Sequence, residues 1–163
     1  MKASDVEKEL IHLQKVRHRS WPKLVSRLKK QLDYRMDCLI KAKGVDDFKL
    51  GFMPFLMNID LEGVTNTELA KKFAVTKQAT SKILNELAEL KYVTMQPHGE
   101  DGRSSIIHLT DKGKRMVVDC KKNMEHAMDE YRTLLGRKEF DTLIDMLSKI
   151  ADYNDAQSKT PYI

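Results

Sequence analysis

Glycine and proline are scarce in this chain, seven and four among 163 residues. That excludes collagen-like and Pro/Gly-rich disordered classes and leaves room for long uninterrupted helices. Cysteine is scarcer still. Cys38 and Cys120 are too few for a disulfide framework, and free thiols are the expectation. No apolar run approaches the ~20 residues that cross a bilayer, and the opening MKASDVEKEL lacks the apolar core of a signal peptide. A cytoplasmic protein with no membrane partner is expected. There is no Gly-rich phosphate loop, nucleophile motif, zinc signature or paired-carboxylate pattern. The histidines His12, His18, His98, His108 and His126 show no compact ligand spacing. No enzyme, no cofactor and no metal site are therefore expected.

What is present is a 41% hydrophobic, 33% charged chain, the composition of a folded protein, with length for one domain. The net charge of +5 and pI near 9.1 are compatible with a polyanionic partner. Ser4 to Glu7 fits a capping box opening a helix to about His18. Ser20-Trp21-Pro22 restarts the helix, and Leu24, Leu28, Leu32, Met36 and Leu39 follow at helical spacing up to a stop at Gly44. Phe52 to Ile59 reads as one short core helix, broken at Gly63. Asp111 to Leu135 is the most regular helix, and Thr110 with Asp111 read as its start. Its Val117, Cys120, Met124, Ala127, Tyr131 and Leu134 alternate steps of three and four, the spacing of a helix–helix seam. Gly136 stops it, and Phe140, Leu143, Leu147 and Ile150 line a last helix.

The chemistry concentrates between Thr65 and Leu109. Thr65 to Glu68 is a capping box opening a helix through Phe73; Ala74-Val75 turn; Thr76 caps a helix over about Lys77 to Lys91. Tyr92-Val93-Thr94-Met95 and Ser105-Ile106-Ile107-His108-Leu109 flank Asp101-Gly102-Arg103, which reads as a β-hairpin with an arginine at its tip. Helix, tight turn, helix, hairpin is the order of a DNA-binding helix-turn-helix with a wing. At ~100° per residue the second helix has an apolar side, Ala79, Ile83, Leu87 and Leu90, and a polar, basic side, Lys77, Gln78, Ser81, Lys82 and Asn85. Gln and Asn suit adenine edges and Lys suits guanine O6 and N7. Ser81 and the N–H groups near Thr76 suit a phosphate. Arg103 on the hairpin suits a narrow A·T-rich minor groove, with Asp101 pairing with it and Gly102 permitting the turn.

The stretch TNTELAKKFAVTKQATSKILNELAELKYV followed by DGRSSIIHLTDKG resembles the MarR (multiple antibiotic resistance regulator) family over about residues 50–118. The resemblance implies a winged helix-turn-helix, mainly α with a small β-hairpin wing. It also implies a homodimer acting as a transcription regulator. By position, Thr76 to Lys82 open the recognition helix, and Asp101 with Arg103 form the wing tip. The chain departs from the family at Gly102, where many members carry a second arginine, and at Met95 and Gln96, where many are basic. The residues before Ser20 exceed what the family core needs.

A single domain is expected, with N-terminal dimerisation helices over 1–48, a DNA-binding lobe over 49–110 and C-terminal dimerisation helices over 111–163. The partners expected are double-stranded DNA, a second copy of the chain, and a small-molecule effector or redox signal. Met36, Phe52, Met53 and Phe55 read as core, with pocket lining as the alternative. Cys120 falls on the seam and reads as structural. Cys38 reads as a buried inert thiol, with a redox role as the alternative if Arg35 lowers its pKa. The basic run from Lys15 to Lys30 reads as solvated surface. A protein-binding winged helix and a non-specific DNA binder stay open as rival functions.

Overall fold

The computed structural model describes residues 3–15, 20–45, 47–98 and 104–157. The elements are α1 (Ala3–Lys15), α2 (Trp21–Ala42), a 3-10 turn (Leu50–Phe52), α3 (Met53–Leu56), β1 (Val64–Thr65), α4 (Asn66–Lys72), α5 (Lys77–Glu89), β2 (Val93–His98), β3 (Ser104–Leu109), α6 (Asp111–Leu135) and α7 (Arg137–Gln157). The expected mainly helical architecture with a hairpin is present. Two readings change. The hairpin is part of a three-stranded antiparallel sheet of order β1-β3-β2, because Val64 and Thr65 pair with Ile107 and Ile106. Residues 52–59 are not a continuous helix: Phe52 ends a 3-10 turn, and only Met53–Leu56 form a helical turn.

The local chemistry explains the boundaries. Ser20 takes the cap position of α2 without a side-chain cap bond, and Pro22 sits in the first turn, where no N–H is missed. Ser4, read as a cap, lies inside α1, which already includes Ala3. Gly136, at φ 90°, ends α6. Pro97 lies in β2, an edge strand where its missing N–H interrupts no inner ladder.

One core joins the lobes. Met36 and Ile40 of α2, Met53 and Leu56 of α3, Leu69 of α4, Leu84 and Leu87 of α5, Ile107 of β3 and Cys120 of α6 are buried together. Each large apolar side chain fully removed from water contributes about 1.5–3 kcal/mol. Phe52 and Phe55 are also buried, so all four residues weighed for pocket lining are core; Met36 and Met53 additionally edge a cavity between α2, α3 and α6. No helix among the described residues is long and apolar enough to cross a membrane.

Candidate nucleic-acid interface

The site begins at two helix N-termini. Thr65 Oγ1 accepts from Glu68 N–H at 3.2 Å, and Glu68 Oε2 accepts from Thr65 N–H at 2.8 Å, the reciprocal pair expected from the sequence. Thr76 Oγ1 accepts from Ala79 N–H at 3.1 Å and starts α5. The turn between them is held by a left-handed residue, Ala74 at φ 50°. Val75 N–H donates to Ala70 C=O at 3.1 Å and Ala74 N–H to Lys71 C=O at 3.3 Å, which satisfies the last carbonyls of α4.

Helix α5 is rotated from its expected orientation. Its buried residues are Thr80, Leu84 and Leu87, with Ile83 and Leu90 half-buried beside them, and Ala79 is exposed. The apolar stripe is therefore one position away from Ala79. Thr80 tolerates burial because its hydroxyl donates to Thr76 C=O at 3.2 Å. Thr76, Lys77, Gln78, Lys82 and Asn85 are exposed, as a reading face requires. Ser81 differs: it is half-buried, and its Oγ accepts from Asn66 Nδ2 at 2.6 Å.

The charge on this face is of one sign at its N-terminal end. Lys71 and Lys72 of α4 and Lys77 and Lys82 of α5 are all exposed. Glu86 is ion-paired with exposed Lys49, so its charge is balanced. A groove of 350 Å³ runs between α5 and the sheet, lined by Thr65, Asn66, Lys77, Ser81, Asn85 and Met95 among others. Asn66 and β1 were missed by sequence reasoning. The contact from Asn66 to Ser81 spans fifteen positions, and no local pattern signals it.

The wing strands pair from Val93↔Leu109 out to His98↔Ser104. The connecting residues 99–103, and with them Asp101, Gly102 and Arg103, lie outside the described residues. Met95 and Gln96 are exposed on β2.

The seam residues divide. Cys120 and Ala127 are buried and Val117 packs on the core, so this part serves the chain's own fold. Tyr131 stacks on Phe140 of α7 at 6.3 Å. Met124 and Leu134 are exposed at 36% and 76%.

Cys38 corrects the sequence reading: it is exposed, at the edge of a cavity it shares with Asn123, Met124 and Ala127 of α6, while Met36 and Ile40 take the core. Arg35 is bound by Glu130 of α6. The guanidinium makes a two-pronged bond to Glu130 at 2.6 and 2.9 Å, which raises the arginine's pKa and lowers that of the carboxylate. Burial pushes the Cys120 thiol up to about 11. Among the described residues, no group of three or more His, Cys, Asp or Glu is placed to hold a metal ion.

Four likenesses bear on this geometry. A family model described as "MarR family" matches residues 53–104, which run from α3 to the start of β3. The chain is 26% identical over 107 residues to the uncharacterised HTH-type transcriptional regulator YdgJ of Bacillus subtilis, covering 66% of this chain and 64% of that protein. It is 30% identical over 87 residues to the HTH-type transcriptional repressor YetL of the same organism, covering 53% and 52%. The chain thus spans about two thirds and one half of the length of these relatives. The fold matches a crystal structure of a MarR transcriptional regulator from Methanosarcina mazei Go1, with TM-score 0.68, 22% identity, and coverage of 82% of this chain and 94% of that one.

Proposed function

We propose that the protein is a sequence-specific, homodimeric DNA-binding transcriptional regulator, a reading supported by the match of the MarR-family model to residues 53–104. The observation that carries this reading is the outward face of α5. Lys77, Gln78, Lys82 and Asn85 are exposed together at the N-terminal half of a capped helix, with no acid among them. Such a face suits the major groove: the amides pair with adenine and the lysines with guanine or phosphate. Thr76 and the free N–H groups of the first turn of α5 receive a phosphate. Arg103 at the wing tip, supported by Asp101 and Gly102, reaches the adjoining minor groove.

The dimer is built from the chain ends, 1–48 and 111–163, flanking the DNA-binding lobe 49–110. Trp21, Leu24 and Leu28 of α2, Leu134 of α6, and Leu143 and Leu147 of α7 are each 40–76% exposed. Apolar side chains at this density on neighbouring helices call for a covering partner, and a second copy covers both faces by one two-fold operation. The cavity of 620 Å³ between α2, α3 and α6, edged by Met36, Met53, Met57 and Met124, suits an apolar effector. Exposed Cys38 is the residue through which a redox signal would act. Repression is the mode named for one relative.

The test is selection from a random DNA pool at about 150 mM salt, where charge-driven non-specific binding is suppressed. Enrichment of an inverted repeat with half-site centres ~10 base pairs apart supports the reading. No enrichment with retained DNA binding points to a non-specific binder. No DNA binding at all points to a protein-binding winged helix.

A further inference from the structure

We propose that Asn66 is a positioning residue for DNA recognition: it fixes Ser81 as a hydrogen-bond donor toward the groove and so sets which bases Ser81 accepts. The proposal rests on the DNA-binding reading above. Asn66 is the first residue of α4, and its side chain crosses to α5. Its Nδ2 donates to Lys77 C=O at 3.3 Å and to Ser81 Oγ at 2.6 Å.

The direction of these bonds follows from hydrogen bookkeeping. A peptide carbonyl has no hydrogen, so the amide nitrogen must face Lys77 C=O, and the same nitrogen then meets Ser81. Lys77 C=O has two lone pairs. The helical N–H of Ser81 takes one and Asn66 takes the other. With Lys77 C=O occupied, the Ser81 hydroxyl loses the i−4 carbonyl that a helical serine commonly takes. Its oxygen accepts from Asn66 at 2.6 Å, which leaves its hydrogen for another acceptor. Ser81 lines the 350 Å³ groove beside Lys77 and Asn85, so the group it offers there is an O–H donor.

A donor discriminates among base edges. Guanine O6 and N7, adenine N7 and thymine O4 accept in the major groove, whereas cytosine offers only N4–H₂. Wild-type Ser81 thus disfavours cytosine at the base it faces. Asn66→Asp reverses the pair: a carboxylate only accepts, so it gives up the bond to Lys77 C=O, and Ser81 donates to it and turns a lone pair outward. A carboxylate at this first-turn position is favourable to the α4 dipole, so the variant is expected to fold.

The experiment is pool selection with wild type, Asn66→Asp, Asn66→Ala and Ser81→Ala in parallel, with non-specific affinity measured on a scrambled duplex. We expect wild type to exclude cytosine at one half-site position. Asn66→Asp shifts that position toward cytosine or adenine, whose amino groups donate. Asn66→Ala and Ser81→Ala each flatten the preference there up to about tenfold, the net worth of one neutral hydrogen bond, and leave other positions unchanged. Uniform loss of affinity with wild-type preferences at every position overturns the assignment of Asn66. If Asn66→Ala does not fold, an Asn66→Asp profile identical to wild type overturns it alone. A wild-type pool with no enriched sequence overturns the DNA-regulator reading itself, a distinct failure.

Discussion

At the residue scale, Ala74 shows how a tight turn forms without glycine. It adopts φ 50° and ends α4 with the two carbonyl bonds described above. A left-handed non-glycine residue costs ~1–2 kcal/mol relative to its ordinary conformation. Ala74→Gly is therefore expected to raise stability by about 0.5–1 kcal/mol, after the extra entropy of an unfolded glycine is subtracted. Urea unfolding checks this, and a destabilised variant would contradict it. The two thiols differ in the same local way. Cys38 is exposed and Cys120 is buried with its pKa pushed up to about 11. One equivalent of a thiol reagent per chain is expected to react at pH 8 in the native protein, with the second reacting only on unfolding. Two fast equivalents would refute that burial. Because folding favours the neutral Cys120 thiol, its contribution is complete below about pH 9. It is lost as pH rises toward 11.

The caps Thr65, Thr76 and Thr110 were legible in the sequence because they depend on neighbours within four positions, and helical spacing placed Cys120 on an apolar seam; the sequence alone stopped there. It did not convey the exposure of Cys38. That depends on which side of α2 meets α3 and α6, a tertiary fact.

At the element scale, the junction between α5, β2 and α6 couples the candidate reading head to the long helix. Thr110 Oγ1 donates to Lys91 C=O at 2.7 Å and accepts from Gly113 N–H at 3.1 Å. Lys112 Nζ donates to Leu90 C=O at 2.9 Å and sits 4.2 Å above the centre of the Tyr92 ring. Gly113 is needed for closeness: a Cβ there would lie 2.1 Å from Tyr92 O, a backbone atom. Gly113→Ala is expected to destabilise by about 2–4 kcal/mol through forced separation of α6 from β2. Thermal unfolding measures it; a change under 0.5 kcal/mol would mean the junction is loose. The boundaries of α6 were readable from Thr110 and Gly136, but the rotation of α5 was not. Thr80 is polar by composition and buried in fact, because its hydroxyl is satisfied within the helix.

At the scale of the whole molecule, the uncovered apolar faces of α2 and α7 carry the argument for a dimer. Replacing both Leu143 and Leu147 by Asp would place charges where a partner is proposed to pack, a penalty of several kcal/mol per buried unpaired ion. The double variant is expected to sediment as a monomer and to lose operator affinity at least a hundredfold, since each half-site is then bound alone. An unchanged dimer would move the interface elsewhere. Arg103→Ala is expected to weaken operator binding about tenfold and to relax any A·T preference beside the half-site. Titration against operators with and without the flanking A·T step distinguishes this from a mere loss of charge.

By itself the sequence determined where α2, α4, α5 and α6 start and where α6 stops, that a hairpin follows the second helix of the turn, and which end of α5 is free of acids. Caps, stops and periodicity act over a few residues, so they are written locally. Only the tertiary structure decided that β1 completes the sheet, that the stripe on α6 divides between core and surface, that Cys38 is exposed, and that Asn66 holds Ser81. Each of these joins or orients groups across elements, where the deciding energy is packing and hydrogen-bond satisfaction between segments that sequence spacing does not relate.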